Sequence, residues 1–80
     1  MPERTAVQVA VENTAYHFDL AYSYLLPIEM EQKAQNGCRV MVPFGAGNRL
    51  RQGVIIKKET VQSAKGLKSV SKLIDEKHNS

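Results

Sequence analysis

Tryptophan is absent from these 80 residues, and there are only one cysteine, two histidines and three prolines. A lone Cys38 excludes an internal disulfide, and with only His17 and His78 beside it a structural zinc site lacks ligands. No run approaches the roughly 20 apolar residues of a membrane span, and Met1-Pro2-Glu3-Arg4 lacks the apolar core of a signal peptide. A cytoplasmic location without a membrane partner is the expectation. Neither a Gly-x4-Gly-Lys-Ser/Thr loop nor a Cys-x-x-Cys or His-Glu-x-x-His motif occurs, so triphosphate and zinc-hydrolase chemistry are not expected here. Cys38 flanks a candidate strand on its own. It reads as a small buried residue rather than a nucleophile served by His17. His17 and Asp19, two apart, become metal-like only if a third ligand comes from elsewhere. The chain reads as catalytically empty.

What is present is an ordinary globular composition, 42% hydrophobic and 24% charged. The length fits one small domain, here drawn over residues 5–76 with a polar tail at 77–80. At roughly 0.05–0.15 kcal/mol per residue, a core of this size supports a stability of about 4–12 kcal/mol. The net charge of +3 is unevenly spread. Residues 1–38 set Arg4 and Lys33 against Glu3, Glu12, Asp19, Glu29 and Glu31, a net −3. Residues 39–80 hold nine lysines and arginines against Glu59, Asp75 and Glu76, a net +6. A basic half attracts polyanions by counterion release; a solvated lysine-rich surface is the plainer alternative.

Val7, Val9 and Val11 alternate and predict a strand over 6–11, interrupted by the turn-forming Glu12-Asn13-Thr14. Residues 15–21 have no clean period and read as a loop, with Tyr16 and Phe18 as core plugs. Tyr22 to Leu26 reads as a second strand stopped by Pro27. A helical turn or irregular excursion is expected over 28–36, ended by Gly37. Cys38 to Val42 alternates again, with Val40 and Val42 on one face, and Pro43-Phe44-Gly45 closes it. Ala46-Gly47-Asn48 reads as a tight turn. The strand expected over 50–56 carries Gly53 in its middle, which implies a bulge or a close approach of another backbone or a ligand. Residues 57–66 read as a connecting loop. Leu67, Val70, Leu73 and Ile74 fit a helical period, yet Ser69-Val70-Ser71 suits a helix poorly, so strand and helix both stay open there. The fold expected is mainly β: a partly open barrel or strongly bent sheet of about five or six short strands, with at most one short helix.

The informative segment is Gly37-Cys38-Arg39-Val40-Met41-Val42-Pro43-Phe44-Gly45, followed by Gly53-Val54-Ile55. Tyr22-Ser23-Tyr24-Leu25-Leu26-Pro27 precedes it and Leu67-Lys68-Ser69-Val70 follows. A strand here delivers a rigid proline and an aromatic ring to a glycine corner. Such a corner lets a ligand reach bare backbone N–H groups beside a stacking ring, or it merely turns the sheet while Phe44 plugs the core.

Taken in order, these pieces resemble the amino-terminal, 3′-end-binding domain of the replication restart helicase PriA family, over roughly residues 5 to 76. The resemblance implies a non-catalytic DNA-binding module that recognises the 3′ end of the nascent leading strand at stalled forks. A small β-barrel protein–protein docking module is the alternative. It further implies that the chain is an excised part of a larger helicase, whose remaining chain and primosome proteins are partners. No cofactor is then expected in this fragment, since ATP with magnesium, and zinc, belong to the missing parts. The family pocket maps onto Tyr22 and Ser23, the glycine Gly45 beside Phe44, and Lys68. An aspartate commonly stands in the family where this chain has Ser23. A serine hydroxyl still bonds a base edge or a terminal hydroxyl, about half as strongly without charge assistance; alternatively, Asp19 reaches in from the preceding loop.

Overall fold

The computed structural model describes residues 3–12 and 21–75. The expectations for Asn13-Thr14, Tyr16, His17, Phe18, Asp19 and the 77–80 tail lie outside the described residues. Five strands form one antiparallel sheet: β1 Arg4–Val11, β2 Ala21–Leu25, β3 Arg39–Phe44, β4 Arg49–Val61 and β5 Lys72–Leu73, in the order β2-β1-β4-β3-β5. A 3-10 turn, Ile28–Met30, occupies the expected helical excursion.

Alternation builds the sheet as expected. Val7, Val9 and Val11 of β1 face inward beside Tyr24 of β2, Ile55 of β4 and Val40 and Val42 of β3. The segment after β2 folds over this face with Leu26, Ala34 and Cys38, and Val70 covers it from the other margin. Cys38 is fully buried, as its position beside the strand predicts.

One sequence expectation needs correction and one open choice is settled. Residues 57–61 are strand rather than loop: β4 runs on to Val61 and pairs with β1 as far as Arg4. The reason is tertiary. Lys58 Nζ donates to the Glu31 carbonyl at 2.8 Å and Glu59 accepts from Gln8 at 2.8 Å, so polar side chains find partners along a strand with no apolar period. Secondly, the open choice over 67–75 resolves as extended chain, not helix. Ser69 bridges Leu25 in parallel and Lys72–Leu73 pairs with β3.

Gly53 serves the closer of the two roles proposed for it. A β-carbon there would stand 2.5 Å from Val9 Cγ1 and 2.9 Å from the Ala10 carbonyl oxygen. The bulge lies three residues on: Gln8 pairs with Lys57 but Val9 with Ile55, leaving Ile56 as the extra residue.

Curl is what makes the site. With neighbouring strands about 4.8 Å apart, β2 and β3 would be roughly 14 Å apart in a flat sheet. Instead the Tyr24 hydroxyl donates to the Pro43 carbonyl at 2.8 Å, and the Tyr22 and Phe44 rings meet at 5.1 Å. The margins approach without pairing, so the sheet stays open. Residues 68–74 strap them together: Leu25 N–H donates to the Lys68 carbonyl and Val70 N–H to that of Leu25, while Ser71 and Ile74 donate to Met41 and Arg39.

Candidate nucleic-acid interface

A cleft of about 290 Å³ opens where the margins of the curled sheet approach each other, lined by Tyr22, Ser23, Tyr24, Phe44, Gly45, Gly66 and Lys68. All five residues singled out in the sequence, Tyr22, Ser23, Phe44, Gly45 and Lys68, are brought together here. Tyr24 and Gly66 were missed. Tyr24 had a signal, since it shares its strand face with Tyr22 by period two; Gly66 had none beyond being a glycine in a polar stretch.

The walls are aromatic. Tyr22 and Phe44 stand at 80° to each other, so a flat ring stacked on one would meet the edge or face of the other. Phe44 is further held by the Arg51 guanidinium, 6.0 Å from its centroid. Pro43 is placed where a missing N–H costs nothing. The odd residues of β3 turn their backbone groups to the sheet margin, and the Pro43 carbonyl there accepts the Tyr24 hydroxyl.

The strand edge supplies polar groups. In β2 the Leu25 N–H and C=O point away from β1, toward residues 68–70. Strand alternation then turns the Ser23 N–H and C=O the same way, and no backbone partner meets them among the described residues. The Ser23 side chain behaves differently. Its register partner is Gln8, on the face opposite Tyr22 and Tyr24, and its Oγ accepts from Gln8 Nε2 at 2.7 Å. What Ser23 turns to the cleft is main chain. The alternative through Asp19 falls outside the described residues.

Gly45 opens the β3–β4 turn at φ +75°, a conformation that favours glycine, and a β-carbon there would meet nothing within 4 Å. Its carbonyl accepts from Asn48 N–H at 3.1 Å and from Lys68 Nζ at 2.8 Å. Lys68 therefore lies across the cleft mouth, exposed, with no carboxylate partner among the described residues and donors to spare.

Burial, and secondarily the neighbouring Tyr22, hold the Tyr24 phenol above the ordinary tyrosine range. A folded value above the unfolded one adds stability that is full below about pH 10 and is lost as pH rises through the folded value. Tyr24→Phe should therefore lose less thermal stability than the parent between pH 8 and about pH 11, measured by melting at both. An equal alkaline loss in the two proteins would show that Tyr24 does not carry it.

Aromatic walls, a strand edge without a backbone partner among the described residues and a lysine without a carboxylate partner among them meet at the margin of a curled sheet. The chain belongs to the family of the PriA 3′ DNA-binding domain, whose model, described as 3'DNA-binding domain (3'BD), matches residues 7–79. No curated protein and no solved structure matches it significantly. It is a DNA-binding domain.

Proposed function

We propose that the cleft receives the 3′-terminal nucleotide of a DNA strand. Within a PriA-type helicase, the domain recognises in this way the 3′ end of the nascent leading strand at stalled forks and serves replication restart. The observation that carries this reading is that the Ser23 N–H and C=O, without a backbone partner among the described residues, share one cleft with the Tyr22–Phe44 corner and Lys68. Every DNA base presents an adjacent donor and acceptor on its Watson–Crick edge, so a main-chain donor–acceptor pair reads a base without choosing its identity. The rings supply stacking, which is equally tolerant of sequence. Lys68 is a compact charge for the neighbouring phosphate.

The test is fluorescence anisotropy with a short single strand ending in a 3′ hydroxyl and with the same sequence closed into a circle. An end pocket binds the linear strand at least about tenfold more tightly, with a slope of log affinity against log salt near −1.5 to −2 for two to three phosphates. Equal binding of the circle, or a slope near −6, would mean an extended groove and would end the pocket reading.

A further inference from the structure

Arg51 lies outside the cleft lining and outside the sequence motif. Its position in β4 opposite Val42 puts it on the same face as Phe44, with its guanidinium over the Phe44 ring at 6.0 Å. It is only half-buried, and among the described residues it has neither a carboxylate partner nor a hydrogen bond. A ring holds a cation through its quadrupole without using the N–H donors. Arg51 is thus fixed in place with its planar fork unspent, behind the wall of the cleft. The nearby cation with a hydrogen bond, Lys68, stands at the Gly45 carbonyl. A strand whose last base stacks on Phe44 has its nearest phosphates to place against one of these two cations.

We propose that Arg51 binds a backbone phosphate of the DNA strand, one of the two nearest the 3′ terminus, through the donors that its contact with Phe44 leaves free. This rests on the reading of the cleft as an end pocket. The planar guanidinium suits a phosphate, which accepts two parallel N–H donors from it. The same contact makes Phe44 a shared element: it stacks the base on one side and holds the phosphate-binding cation on the other.

The experiment is a cycle between protein and DNA. Arg51→Met keeps the apolar stem over the ring and removes the charge; Arg51→Lys keeps a charge and serves as the second variant. Each is titrated with a 3′-hydroxyl oligonucleotide and with versions carrying an uncharged methylphosphonate at the first or the second linkage from the 3′ end. On the native strand Arg51→Met should bind about tenfold more weakly at low salt, with the salt slope flattened by roughly 0.7, one single-strand phosphate contact. Arg51→Lys should keep the parental slope. At one of the two methylphosphonate positions, Arg51→Met and the parent should bind alike within about twofold. If Arg51→Met weakens the native and both uncharged strands equally, Arg51 acts only by propping Phe44, and the proposal falls. It falls too if Arg51→Met binds the native strand like the parent. A circle that binds as tightly as the linear strand defeats the end-pocket reading whatever the cycle shows. A linear preference with additive losses in the cycle defeats the Arg51 assignment alone.

Discussion

Gly53→Val should destabilise the protein by about 3 kcal/mol or more, lowering the melting temperature by roughly 12–24 °C. The cause is steric, with no help from backbone strain. Gly53 sits in β4 against β1, where even a β-carbon would meet Val9 Cγ1 at 2.5 Å and the Ala10 carbonyl oxygen at 2.9 Å. Val9 is fully buried and cannot withdraw without disturbing the core, and the carbonyl belongs to the neighbouring strand. Against a total of about 4–12 kcal/mol, a loss of that size leaves little margin. Gly47→Ala is the matched control, because nothing lies within 4 Å of a β-carbon there. A Gly53→Val protein melting within a few degrees of the parent would show that β1 and β4 separate more easily than their packing implies.

The second large effect concerns the aromatic corner. Stacking of one base on an aromatic side chain contributes about 1–3 kcal/mol, so losing a wall should weaken binding of a 3′-ended strand by roughly 10- to 100-fold. Tyr22→Ala is the cleaner variant, since Tyr22 is 38% exposed and its removal disturbs the fold little. Phe44 also packs against the core, so Phe44→Leu is preferred there: it keeps apolar volume and removes the π face. Both variants should melt within a few degrees of the parent while losing affinity at all salt concentrations alike, because stacking carries no charge. If both bind within twofold of the parent, the rings are wall and core only, and the base must be held elsewhere.

How far the sequence reveals this molecule depends on which contacts are local. The period of Val7, Val9 and Val11 marks β1 because each valine reports its own side of the sheet. Gly53 announces a close approach because a strand interior without a side chain needs a reason. The polar strand from Lys57 to Val61 is illegible for the opposite cause: its partners, Gln8 and the Glu31 carbonyl, are 51 and 27 residues away. The residues alone offer the Phe44-Gly45 corner as one candidate; its joining with Tyr22, Ser23 and Lys68 is legible only through resemblance. Tyr22 and Phe44 belong to strands separated by two others in the sheet, and nothing local says that curl brings their rings to 5.1 Å. Arg51 shows the same limit, being an unremarkable strand arginine until the fold sets it over Phe44. Ser23 shows a subtler one. Its side chain attracted the functional reading, whereas alternation sends that side chain to Gln8 and turns the main chain to the cleft.

Entry of a 3′-terminal nucleotide into the cleft, against the Ser23 main chain, can be followed by backbone amide NMR shifts recorded as a short 3′-hydroxyl oligonucleotide is added. The amides of Ser23, Gly45, Gly66 and Lys68 should move furthest, with Ser23 shifting as its outward N–H gains a partner. If those four amides stay in place while Val54, Lys57 and Lys72, on the opposite face of the sheet, carry the changes, DNA binds elsewhere and the assignment of the cleft is wrong.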